Sequence, residues 1–153
     1  SRFCFTIMGI RQSCVLMRRE QIDEVLAANP KEGKTVIEPF RTFAREKGLP
    51  FVILEDSHAL SNEAELHKTN GDLWFCLEGE AEFTYGGKMV NPQVKVRKDG
   101  TRDENELLAH KIDGGTEIKM KQGDWLWIPA GVPHQHRSQG VARFVVIKIP
   151  DAK

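Results

Sequence analysis

The chain has 153 residues, with 22 Lys plus Arg set against 22 Asp plus Glu, 40% hydrophobic residues and three cysteines. That length suits one domain, and a chain of this size buries roughly 70% of its unfolded surface, enough to hold a core unaided. The balanced charge lacks the basic field of nucleic-acid binders, and no apolar run approaches the roughly 20 residues that span a bilayer, so neither nucleic acid nor membrane is an expected partner.

Cys4, Cys14 and Cys76 form no close pair, and their odd number leaves a thiol unpaired, which points to a reducing, cytoplasmic setting. Residues 1–17, "SRFCFTIMGIRQSCVLM", read as an N-terminal extension, with Met8 and Met17 as candidate native starts. Arg11 and Gln12 interrupt the apolar stretch and no small-residue cleavage site follows, which argues against a signal peptide.

Residues 18–48 read as an N-terminal helical segment packing on the domain that follows. In "MRREQIDEVLAANP" the spacing of Ile22, Val25 and Leu26 predicts a short amphipathic helix stopping before Pro30. "EPFRTFAREKG" (38–48) reads either as a second short helix ending at Gly48 or as an extended edge carrying Phe40 and Phe43.

From Leu49 the texture changes. "LPFVILEDS", "DLWFCLEG", "EAEFTYGG", "TEIKMKQGD", "WLWIPAG" and "RFVVIKIP" are short apolar or alternating runs punctuated by Gly, Pro, Asn and Asp. Short strands at such spacing predict an all-β sandwich or barrel over 49–150. A polar insertion at about 89–114 contains Asp99-Gly100, a dipeptide suited to a tight turn. It reads as a hairpin or mobile loop, and as a solvated elaboration in preference to a lid.

Chemistry concentrates at two places. "ELHKTNGD" (65–72) sets Glu65, His67 and Asp72 immediately before the apolar run "LWFCL". Ionised acids beside a core are costly unless a cation or hydrogen bonds compensate them. On a strand Glu65 and His67 share a face, and the turn-prone "TNG" lets Asp72 return toward His67. Counting by two carries Trp74 and Cys76 onto the face of Asp72 as pocket residues, with Leu73, Phe75 and Leu77 expected between the sheets. The second place is "GDWLWIPAGVPHQHRS" (123–138), where Pro129, Gly131 and Pro133 force a rigid turn before His134, and His136 shares its face. The three tryptophans read as core and sheet packing.

The spacing G-x5-P-x-G-x2-H, formed by Gly123, Pro129, Gly131 and His134, resembles the second signature motif of the cupin superfamily. Glu65, His67, Asp72 and Gly79 stand in the register of the first motif, as a variant E-x-H-x4-D-x6-G in which two of the usual four letters differ. The resemblance covers about residues 49–150 and implies a double-stranded β-helix, or jelly roll, with one or two short N-terminal helices. It further implies a homodimer and one bound metal ion.

On that reading Glu65, His67, Asp72 and His134 hold a divalent transition metal (Mn, Fe, Co, Ni or Zn), two carboxylates matching its charge while two imidazoles stay neutral. An alternative keeps only His67, Asp72 and His134 on the metal and frees Glu65 to move protons. The first functional expectation is an isomerase or lyase acting on a small polar, carboxylated or sugar-acid metabolite, with Glu65 or His136 as the catalytic proton carrier. An iron-dependent dioxygenase and a non-catalytic cupin that binds a metal or small ligand are the alternatives.

Overall fold

The computed structural model describes residues 14–28 and 30–151. In chain order the elements are α1 (Arg19–Leu26), β1 (Gly33–Val36), α2 (Phe40–Lys47), β2 (Phe51–Ser57), β3 (Ala64–His67), β4 (Asn70–Glu78) and β5 (Glu80–Tyr85). They continue with β6 (Lys88–Met89), β7 (Gln93–Val96), β8 (Arg102–Ala109), β9 (Ile112–Asp113), β10 (Thr116–Lys121), β11 (Trp125–Ile128), β12 (His134–Arg137) and β13 (Val141–Pro150).

Two antiparallel sheets face each other, one ordered β1-β2-β13-β4-β11 and the other β10-β5-β12-β3-β8-β7, with β6 and β9 forming a small pair. Chain neighbours β3 and β4 lie in different sheets, and so do β12 and β13. This crossing between sheets is what makes the sandwich a double-stranded β-helix, as the sequence implied.

The barrel interior is filled by Leu54, Trp74, Cys76, Phe83, Met120 and Phe144 with smaller neighbours. Phe83, Trp74 and Phe144 meet edge to face, with ring centroids 5.0–5.8 Å apart. A second apolar cluster joins Leu26, Phe40, Ile53 and Leu77, with Val25 and Phe75 packed against it. It lies where α1 and α2 cover the outer face of the five-stranded sheet.

Leu73, Phe75 and Leu77 therefore do not sit between the sheets. Phe75 and Leu77 pack in the outer cluster, on the face opposite Trp74 and Cys76. Trp125 and Trp127 also depart from the core reading, at 62% and 44% exposed, with Trp125 lying 4.6 Å from the Phe75 ring.

The segment 38–48 is helical. α2 ends at Gly48 in the left-handed conformation (φ 67°), with its N–H and that of Leu49 returning to the carbonyls of Arg45 and Ala44. The sheet begins before residue 49, because β1 pairs with β2. Residues 1–13 of the expected extension lie outside the described residues.

The polar insertion forms the hairpin β7–β8 at the edge of the six-stranded sheet, with Gly100 at φ 86° in its turn and the Asp99 carboxylate accepting from the Thr101 N–H. Gly79 of the first motif has φ 72°, and a Cβ there would lie 2.2 Å from the Val141 carbonyl oxygen, so the β4–β5 turn excludes any side chain. Among the described residues no helix is long and apolar enough to cross a membrane.

Candidate metal centre

The site arises from strand pairing. Glu65 and His67 point to one side of β3 because they stand two apart. His134, the first residue of β12, is the cross-strand partner of Glu65. The turn after β3 carries the chain into the facing sheet, where Asp72 returns on β4. Four side chains from two motifs thereby converge inside one end of the barrel.

The Asp72 carboxylate Oδ2 lies 3.5 Å from both His67 Nε2 and His134 Nε2. Glu65 Oε2 lies 3.7 Å from His67 Nε2 and 4.0 Å from His134 Nε2. One ligand atom from each of Glu65, His67 and His134 falls within 4.8 Å of the others.

The tautomer of His134 follows from its neighbour. Its Nδ1 stands 3.2 Å from the Val132 carbonyl oxygen, which can only accept, so Nδ1 carries the proton and Nε2 presents a bare lone pair. Burial pushes the His134 pKa down to about 4, with the Glu65 and Asp72 charges pulling the other way, so the imidazole is neutral at ordinary pH. For Glu65 burial alone would raise the pKa, but the adjacent His67 imidazole and the Lys34 ammonium hold it well below the usual carboxylate range.

Asp72 Oδ2 and His134 Nε2 are both buried without a hydrogen-bond partner. Two acceptors therefore face each other at 3.5 Å with no donor between them. Ligands about 2.0–2.2 Å from a common ion stand roughly 3–3.5 Å apart, so the observed 3.5–4.0 Å spacings need only a slight contraction. The donor set fits a divalent cation.

Three lysines that sequence reasoning missed complete the surroundings. Lys34 Nζ lies 2.5 Å from Glu65 Oε1. Lys148 Nζ lies 2.7 Å from Asp72 Oδ1 and 3.2 Å from His67 Nε2. Lys95 Nζ lies 3.1 Å from Glu106 Oε2, and the other oxygen of Glu106 is 3.9 Å from His67 Nδ1. A cavity of about 380 Å³ opens above the site, with Lys34, Glu65, His67, Trp74, Lys95 and Lys148 in its wall. Lys148 is reached through register, as the cross-strand partner of Asp72. The local signal for it was a lone lysine in the apolar run "FVVIKIP".

Of the expected pocket residues, Trp74 lines the cavity, but Cys76 and His136 do not. Cys76 is fully buried in the barrel core with its Sγ against the Glu78 and Gly79 carbonyls, and burial pushes its thiol up to about 11. His136 is 2% exposed and stands in the core, 5.0 Å from the Trp74 ring and stacked on Phe83. Its Nδ1 is 2.5 Å from Asp56 Oδ2, and Asn62 Nδ2 donates to both the other Asp56 oxygen and the His136 carbonyl. Both residues share the alternation of the site residues but lie too deep to reach the cavity.

The fold is a double-stranded β-helix, and the His/carboxylate cluster is compatible with a metal site. No protein-family model matches the sequence, and no curated protein does.

Among solved structures, the chain is similar to Escherichia coli ycfD, with a TM-score of 0.51 at 15% identity over 83% of this chain and 37% of that one. It is similar to the Drosophila melanogaster CENP-C cupin domain, with a TM-score of 0.44 at 13% identity over 68% of this chain and 58% of that one. A predicted oxalate decarboxylase from Thermotoga maritima gives a TM-score of 0.44 at 12% identity over 76% and 78%. The chain thus spans little more than half of the CENP-C cupin chain and about a third of ycfD.

Proposed function

We propose that this chain is a metal-dependent cupin enzyme of the isomerase or lyase type, acting on a small carboxylated or sugar-acid metabolite. The observation that carries the metal is the pair of buried, unpartnered acceptors Asp72 Oδ2 and His134 Nε2. Glu65, His67, Asp72 and His134 would hold the ion, with Mn, Fe, Co, Ni and Zn all suited to a mixed oxygen and nitrogen set. When bound, it supplies Lewis acidity toward a carbonyl or carboxylate of the ligand.

The chain's own residues do the rest. Trp74 gives the cavity an apolar wall against which a carbon skeleton can rest. Lys34, Lys95 and Lys148 stand in the same wall, each paired with a carboxylate. With the ion on His67, Asp72 and His134 alone, Glu65, bonded to Lys34 on the cavity wall, is free to accept and return a proton. His136, in the barrel core, supports Trp74 and does not meet the ligand.

Alanine at His67 and at His134 tests the reading. Metal content and turnover of a panel of small hydroxy, oxo and sugar acids should fall together. Loss of metal with turnover intact would overturn it.

An iron-dependent dioxygenase is the second reading. It is favoured by the grouping of Glu65, His67 and His134 as two imidazoles and one carboxylate, while Lys148 engages Asp72. Oxygen consumption that disappears when iron is removed would select it over the isomerase or lyase.

A further inference from the structure

We infer that Lys148 and Lys34 are stand-in counter-ions, which compensate the ligand acids until a metal replaces them and then bind the carboxylates of a short-chain dicarboxylate. Metal and dicarboxylate would therefore bind with positive coupling. The inference rests on the metal reading above and names the ligand class for that site.

Charge pairing comes first. Lys34, Lys95 and Lys148 each engage one carboxylate, on Glu65, Glu106 and Asp72 respectively. In that arrangement these ammoniums and acids cancel one for one, and a further acid in the wall, Asp103, is paired with Arg97 at 3.5 Å, so among the described residues the cavity has no surplus cation to offer an anion.

Lys148 goes further than pairing. Its Nζ also sits 3.2 Å from His67 Nε2, on the lone pair a metal would use. His67 cannot serve both, so an entering ion displaces the ammonium. Lys148 is tethered by a flexible four-carbon stem and its side chain is 40% exposed, so the displaced charge can move into the cavity it lines.

A divalent ion added to a balanced set leaves two positive charges in excess. Two carboxylates on one ligand neutralise them. Val36, Val52, Val146 and Trp74 line the same cavity and suit the carbon chain between the two carboxylates. The cavity volume of about 380 Å³ lies at the small end of the range for small-molecule sites. Among the described residues no arginine stands in the cavity wall to grip phosphate through a bidentate fork, which favours carboxylate over phosphate.

Coupling of this kind is reciprocal. If the metal tightens dicarboxylate binding, the dicarboxylate must tighten metal binding by the same factor.

The experiment is calorimetric titration of the chelator-treated full chain with Mn²⁺, with and without malonate or succinate, alongside electron paramagnetic resonance of the bound Mn²⁺. Malonamide and inorganic phosphate serve as the neutral and tetrahedral comparisons. The wild type should bind the dicarboxylate about tenfold or more tightly when loaded than when metal-free, with an equal gain in Mn²⁺ affinity. Malonamide should show no such coupling.

Lys148→Met should keep or improve Mn²⁺ affinity while losing most of the coupling, which separates the lysine's part from simple chelation of Mn²⁺ by malonate. Lys34→Met should weaken the dicarboxylate in the same direction, and circular dichroism establishes that both variants are folded. If Lys148→Met does not fold, Lys148→Gln takes its place.

Equal dicarboxylate affinity with and without Mn²⁺, undiminished coupling in a folded Lys148 variant, or tighter binding of phosphate would each overturn the inference and leave the metal reading standing. Failure of Mn²⁺ to bind at all would overturn both.

Discussion

Lowering the pH of the chelator-treated protein should destabilise it through His134. The folded imidazole has a pKa of about 4 against an ordinary 6.5. Between those values the unfolded chain takes up a proton that the folded chain refuses, so stability falls as the pH drops through 6.5 and the loss is complete below about 4. Because His134 is 1% exposed, solvent screening does little to soften the effect.

From about pH 7.5 to about pH 4.5 the linkage amounts to about 2–3 kcal/mol. Against a total stability of about 5–15 kcal/mol this is a large fraction. The assay is urea unfolding followed by tryptophan fluorescence at a series of pH values, for the wild type and for His134→Gln, which cannot titrate. The wild-type curve should fall by this amount more than the variant's.

Glu65 provides an internal control. Its folded pKa is depressed, so its contribution is present above its unfolded value and is lost only as the pH falls through the folded one, below the usual carboxylate range. Glu65→Gln should therefore leave the slope between pH 6.5 and about 4.5 intact. Parallel profiles for the wild type and His134→Gln would refute the neutral, buried state assigned to His134.

Four further outcomes follow from packing. Gly79→Ala should cost about 3 kcal/mol or more in urea unfolding, because the new Cβ meets the Val141 carbonyl in a left-handed turn. Gly71→Ala should cost about 1 kcal/mol, since what it meets at 2.1 Å is the outer edge of the half-exposed Trp127 indole; a red-shifted fluorescence spectrum would report the ring's displacement. Cys76 should resist alkylation in the native protein at neutral pH while the exposed Cys14 reacts, and should be labelled only on unfolding, as peptide mass spectrometry would show. Asp56→Ala should destabilise by about 1–3 kcal/mol, because it removes the carboxylate that His136 Nδ1 and Asn62 share in the core.

What could be read from the sequence was whatever depends on strand period. The alternation that pairs Glu65 with His67, Asp72 with Trp74 and Cys76, and His134 with His136 holds because successive side chains on a strand must point to opposite faces. Period alone does not say which face is inside. Phe75 and Leu77 are as apolar as Trp74 and Cys76, and only the docking of α1 and α2 gives the outer face of β4 a cover. Depth is equally invisible to period, which is why Cys76 and His136 shared the alternation of the site without reaching the cavity.

The lysines were missed for a different reason. Lys148 meets Asp72 because β13 and β4 are neighbours in that register, and Lys34 meets Glu65 across a fold in which they stand 31 residues apart. Nothing in the local sequence encodes either encounter. Their presence changes what the two acids at the head of "LWFCL" require. One oxygen of each acid already has an ammonium, Glu65 Oε1 on Lys34 and Asp72 Oδ1 on Lys148, so net charge by itself no longer demands a metal. What remains uncompensated is directional: the second oxygen of Asp72 and the Nε2 of His134, two buried lone pairs aimed at each other where no protein hydrogen reaches. A cation satisfies both at once, whereas the Lys148 ammonium is directed to Asp72 Oδ1 and His67 Nε2 instead.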